Sequence, residues 1–206
     1  MEYTSTLVEN AVNELSRLPG VGKRSALRFA LYLLKQPQLT TDSLCNSLNK
    51  MRSEIKYCKV CHSLSDTDIC SICSSSKRNH AQICVVENIR DILAIESTNQ
   101  YRGVYHVLGG IISPIDGVGI SDLTINQLVD RVNSKEIEEI ILALPTTMEG
   151  DTTGFYINKI LQDCNVKITT IARGIAIGDN IEFADEITLG RSILNRMPFN
   201  QVHNNE

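Results

Sequence analysis

Four cysteines in one short polar stretch constrain this chain more than any other feature. Cys58-Lys-Val-Cys61 and Cys70-Ser-Ile-Cys73 read C-x2-C-x8-C-x2-C. A C-x2-C turn aims two sulfurs at one point, and two such turns close a tetrahedron. Zn2+ favours four thiolates in a structural site that leaves no open position for water. Residues 57–80 are too polar to form a core, so metal binding has to supply their folding energy. A redox pair and buried structural thiols are the competing readings; two matched pairs in a polar segment favour zinc over both. His62 adjoins a ligand, but four Cys already fill the shell, so it is expected to be a solvent-exposed bystander. Cys45, Cys84 and Cys164 lie in apolar patterns and read as core residues.

No apolar run approaches the ~20 residues that a membrane helix needs. The stretch Met1-Glu2-Tyr3-Thr4-Ser5-Thr6 lacks the basic region and apolar run of a secretion signal. The protein is therefore expected in a reducing compartment, where seven Cys point to metal or buried thiols rather than disulfides. The net charge is −4, which alone argues against nucleic acid, but it is unevenly spread. Residues 1–80 hold 11 Lys+Arg against 7 Asp+Glu, and residues 81–206 hold 9 against 17. A basic half facing DNA and an acidic half facing metal or protein would produce that split. There is no Trp and only 5% aromatic residues, so base stacking on an aromatic platform is not the expected binding mode.

Three helices are expected first. Apolar residues at 7, 8, 11, 12, 15 and 18 make one helix face over Leu7–Leu18, and Lys23–Lys35 continues the period. Thr41 or Asp42 is the expected cap of a third helix running to about Lys56. Between the first two lies Leu18-Pro19-Gly20-Val21-Gly22. Pro19 should end the first helix, while Gly20 and Gly22 allow a tight turn. Such a turn aims backbone N–H groups outward at the start of the next helix, where anions bind. Lys23, Arg24 and Arg28 follow, with 24 and 28 sharing a face. This suits a phosphate backbone and carries no sequence code. The alternative is an ordinary helix connection beside a solvated basic face.

From Ala81 short β-branched runs alternate with helical ones. Strands are expected at Ile83–Val86, Gly103–Val107, Ile137–Leu144 and Val166–Ile171. Helices are expected over 89–98, Thr124–Asn133, Thr152–Leu161 and Asp185–Leu194. This reads as a parallel sheet flanked by helices. Glu87 ends the first strand, and Glu149 and Asp151 follow the third. Carboxylates gathered at strand ends could share a Mg2+; the alternative is that they cap helices.

Taken together, these residues resemble the RecR family of bacterial recombination mediators. Leu18-Pro19-Gly20-Val21-Gly22 with Arg24-Ser25-Ala26 is similar to its helix-hairpin-helix, and Cys58, Cys61, Cys70 and Cys73 to its zinc finger. Val85-Val86-Glu87 with Arg90-Asp91, then Thr146–Asp151, resemble its Toprim domain. Ala172-Arg173-Gly174-Ile175 and Phe183–Leu189 resemble its C-terminal segment. The implied fold is an α+β multi-module chain: helix-hairpin-helix over 1–56, four-cysteine zinc finger over 57–80, Toprim α/β parallel-sheet domain over 81–171, and a C-terminal segment with a closing helix over 172–206.

The resemblance also implies a role: a non-catalytic scaffold in recombinational repair. It would work with RecO, and in many bacteria RecF, to load RecA onto gapped DNA coated by single-strand-binding protein. It implies a tetrameric ring able to encircle DNA, and a bacterial cytoplasmic, nucleoid-associated location. Arg24 and Arg28 would touch DNA with Lys23 nearby, and Glu149 would belong to an acidic surface that meets partners. Catalytic Toprim enzymes carry an Asp-x-Asp pair where this chain has Glu149-Gly150-Asp151, and no tyrosine nucleophile accompanies it here. A Mg2+-dependent enzyme using Glu87, Glu149 and Asp151, and an adaptor that binds protein only, are the other readings.

Overall fold

Ser5 opens the first helix, α1 (Thr6–Leu15), by accepting the Val8 N–H on its hydroxyl at 3.5 Å. The structure is a computed structural model that describes residues 4–134, 136–196 and 198. The first three residues of the N-terminal stretch and the end of the 172–206 segment lie outside the described residues. The described residues divide into two compact units between Lys56 and Tyr57.

In the first unit α1 packs on α2 (Lys23–Leu34) around Val12, Ala26 and Ala30, all buried. Helix α1 ends at Leu15, not at Leu18 as its periodicity predicts. Pro19 biases the residue before it away from helical geometry, so the last turn tightens into Leu18 N–H to Leu15 O and Arg17 N–H to Glu14 O bonds. Helix α3 spans Gln38–Glu54. It begins before the expected cap at Thr41 or Asp42, because Pro37 occupies the cap position and its carbonyl accepts the Thr40 N–H. Leu39, Leu44, Leu48 and Met51 of α3 are exposed. Cys45 is exposed too, contrary to its reading as a core residue.

The boundary falls within β1 (Lys56–Tyr57), which pairs with β2 (Leu64–Ser65); the short α4 (Ser71–Ser74) follows. Then come β3 (Asn79–Val86), α5 (Ile89–Ser97), β4 (Gly103–Val107), α6 (Ile125–Ser134), β5 (Glu139–Ala143), α7 (Met148–Ile160), β6 (Lys167–Thr170) and α8 (Glu186–Leu194). The four-stranded sheet runs β4-β3-β5-β6 and every pairing is parallel. Ile83 and Val85 face the core under α6 and α7, with Leu128, Ile140, Leu142 and Ile157. Cys84 and Val86 face the other side, under α5, with Ile92, Tyr105 and Val107. Both faces are covered, so the strands read as continuous apolar runs rather than alternating ones.

Helix α7 starts four residues before the expected Thr152. Thr147 caps it by accepting the Gly150 N–H at 3.1 Å. A Cβ at Gly150 would fall 2.0 Å from the Pro145 carbonyl oxygen, so only glycine lets α7 leave the sheet this closely. Glu149 and Asp151 consequently lie in the first turn of a helix, where carboxylates favour the positive end of the dipole.

A half-buried ion cluster fastens the approach to β3. Arg78 grips both oxygens of Glu96 in α5 at 2.8 and 2.5 Å, and Tyr105 donates to the same carboxylate at 2.6 Å. The Arg78 guanidinium, helped by that phenol, holds the Glu96 carboxyl below its ordinary value of 4.5. Its stabilisation is complete above that value and is lost as pH falls through the lowered one. Glu96→Gln should cost about 1–3 kcal/mol at neutral pH. The gap to the wild type should narrow as pH falls below 4.5, read by denaturant melts across a pH series; a gap independent of pH would remove the ion pair as its cause.

Candidate functional site

The cysteine-rich segment folds back on itself twice. In the first turn the Cys58 N–H donates to Ser63 O at 2.7 Å and the His62 N–H to Cys58 O at 2.9 Å, with His62 held at a φ of 61°. In the second, Cys70 caps α4 and its Sγ accepts the Cys73 N–H at 3.4 Å, while the Cys70 N–H donates to Cys58 Sγ at 3.3 Å. The ligating atoms of Cys58, Cys61, Cys70 and Cys73 all lie within 4.8 Å of one another, and the Cys61 and Cys70 sulfurs are 3.6 Å apart. A tetrahedron with Zn–S bonds of about 2.3 Å has edges of roughly 3.8 Å, so the donor set fits zinc.

The electrostatics point the same way. Burial raises the Cys58 thiol, but N–H donors from Cys70, Cys61 and Val60 outweigh it and bring it to about 7. The Cys61 thiol is pushed far up, first by its hydrogen bond with Cys73 and then by burial and by the charge of its neighbours. Four thiolates this close repel one another, and a divalent cation removes that conflict. These residues can hold a structural zinc. Cys84 is buried in the sheet and Cys164 is half-buried, in keeping with packing roles.

His62 is not the solvent-exposed bystander expected of it. It is half-buried and its ring meets that of His106 edge-on, with centroids 5.2 Å apart. His106 is fully buried in β4; its Nε2 lies 2.9 Å from Thr124 O and 3.0 Å from Thr124 Oγ1. Burial pushes the His106 imidazole down to about 3, so it is neutral at physiological pH.

At the other candidate site, the turn between α1 and α2 places Gly20 at a φ of 77°, where a β-carbon would be strained, and Gly22 at the helix cap. Gly22 offers no side-chain cap, and a Cβ there would meet nothing within 4 Å. No side chain caps the first N–H groups of α2. Lys23, Arg24 and Arg28 are exposed, and among the described residues no carboxylate pairs with them. Two cations in the first turn oppose the helix dipole unless an anion sits between them.

The acidic trio does not gather as expected. Among the described residues the four cysteines are the group of ligating side chains close enough to share an ion, and Glu87, Glu149 and Asp151 form no such cluster. Asp151 turns instead to Arg173, 2.6 Å away, with Arg191 of α8 at 3.9 Å. Arg173 in turn holds the Asp151 carboxyl below its ordinary value. The same residues border an open groove of about 720 Å3 beside β6, lined by Leu142, Phe155 and Ile171.

Arg131 is a site residue that the motifs do not single out. It is buried in α6 although charged. Its signal is a charge standing on the apolar stripe Ile125-Leu128-Val132.

Family models match the chain in four consecutive blocks. They are a RecR helix-hairpin-helix over residues 8–52, a RecR zinc-finger domain of the four-cysteine type over 55–75, a Toprim domain over 81–172 and a RecR C-terminal region over 174–197. This is the order expected from the sequence. The chain is 60% identical over its whole length, and that of its relative, to the recombination protein RecR of Flavobacterium psychrophilum. It is 58% identical to that of Parabacteroides distasonis, with 98% of each chain covered. The corresponding Porphyromonas gingivalis protein is 57% identical over 96% of each. Among the described residues no helix is long and apolar enough to cross a membrane.

Cys58→Ser or Cys70→Ser should leave the protein short of one equivalent of zinc and cost solubility first. Metal content by atomic emission, with sedimentation for solubility, checks this. A well-folded variant free of metal would contradict a structural zinc.

Proposed function

Because the chain belongs to the RecR family of recombination proteins, we propose that it is a non-catalytic mediator that binds DNA through the α1–α2 hairpin. The observation that carries this reading is the α2 N-terminus. Gly22 caps the helix without a side chain and stands in open space, and Lys23, Arg24 and Arg28 follow it, all exposed. Such a surface holds phosphates on any sequence. On this reading the modules are 1–56, 57–80, 81–171 and 172–206. Four copies close a ring around gapped DNA, and RecO, with RecF where present, docks on the acidic face that includes Glu87 and Glu149. RecA then loads where single-strand-binding protein is displaced.

The non-catalytic part of the proposal is supported by Asp151. A carboxylate already paired with Arg173 is a poor ligand for Mg2+, and the neighbouring acids do not converge on it. A Mg2+-dependent enzyme would need that cluster.

Replacing Arg24 and Arg28 by Ala should weaken binding to all DNA sequences alike. It should also flatten the log–log salt dependence by about one unit per arginine. Fluorescence anisotropy on gapped duplex over a salt series reads both; an unchanged affinity and slope would remove the hairpin as the DNA contact. Glu149→Arg should weaken RecO binding in a pull-down and leave DNA affinity intact. An unaltered complex would move the docking surface elsewhere.

A further inference from the structure

Arg131 is a buried cation without a visible counter-charge. It is 7% exposed and sits on the core face of α6. Its Nη1 donates to Tyr105 O at 2.7 Å and reaches Val60 O at 3.5 Å, while its buried Nε has no partner. Among the described residues no carboxylate pairs with it. A guanidinium does not give up its proton in proteins. A buried charge left uncompensated is strongly destabilising, so a fold that keeps one there must supply an anion.

The anion at hand is the cysteine cluster. Val60, whose carbonyl faces Arg131, lies between the ligands Cys58 and Cys61. The Cys61 carbonyl accepts the Val107 N–H at 2.8 Å, which ties the same turn to the end of β4. Burial lowers the Arg131 guanidinium from its ordinary value, and the charges of Cys73, Cys61 and Cys58 work against that by favouring its charged form. Four thiolates around Zn2+ leave two negative charges uncompensated, and they too are half-enclosed in protein.

We infer that Arg131 is the buried counter-cation of the tetrathiolate zinc centre, contributed by the α/β core, so that zinc retention and the packing of α6 are one event. This is a positioning role: the side chain touches the backbone of the ligand turn and acts on the metal through charge. It rests on the zinc reading of the cysteine cluster and is independent of DNA binding.

The test uses the full chain as wild type, Arg131→Lys and Arg131→Met. Each is titrated with a chromophoric chelator to measure zinc retention, then loaded with Co2+ to read the sulfur-to-metal charge-transfer band. Loss of the nearby positive charge raises the filled sulfur orbitals and moves that band to longer wavelength, which a purely structural role would not do. The expected result is an about 10- to 100-fold loss of zinc affinity in the methionine variant. Its band should be red-shifted, while the lysine variant should keep the wild-type band and most of the affinity. A folded methionine variant with wild-type affinity and band overturns the inference. If the methionine variant does not fold, the lysine variant decides: an unshifted band supports a charge role and a red shift overturns it. A wild type that takes up no zinc sinks the metal reading itself, and this inference with it.

Discussion

Four sulfurs brought within 4.8 Å of one another are the constraint on which the second unit turns. The segment that carries them has no long apolar pattern and only two-residue strands. It cannot offset its own conformational entropy by burial. What holds it is the pair of tight turns, the N–H donors aimed at sulfur, and a cation to quench the repulsion between thiolates. It is fastened to the α/β core through the Val107 N–H, the Arg131 guanidinium and the half-buried Ile72, which packs against both faces of the sheet. Metal site and sheet are therefore parts of one packed body.

The sheet supplies the rest of the geometry. Its strands are buried on both faces, so polar side chains that matter are pushed to the strand ends and helix starts. The close passage of Gly150 over Pro145 sets where α7 begins, and so sets Glu149 and Asp151 on its first turn. Arg173 then brings the C-terminal segment onto Asp151. A carboxylate used in this way fixes the chain's own architecture and is not free to gather an ion.

Much of this is legible in the residues. The C-x2-C pairs specify their own tetrahedron, and Ile83–Val86 and Gly103–Val107 announce strands because burial on both sides leaves no polar interruption. The misreadings share a cause. Side-chain chemistry points to Thr41 or Asp42 as the start of α3, whereas Pro37 pre-empts the position by backbone geometry. The start of α7 is hidden because Thr147-Met-Glu-Gly looks like a loop until the Pro145 approach is known. Cys45 follows an apolar period on a helix that buries none of its described residues. His62 and Arg131 owe their surroundings to residues distant in sequence, His106 for the first and Val60 for the second. Local pattern carries no trace of such contacts except the misplaced charge on α6.

Hydrogen exchange on the full-length protein, before and after zinc is stripped by a chelator, tests the claim that metal and sheet form one body. Protection should be lost at Cys58, Cys70 and Cys73 and spread to Val107 and α6, while the amides of α1 and α2 keep theirs. Loss confined to the cysteine turns, with Val107 and α6 unchanged, would contradict it.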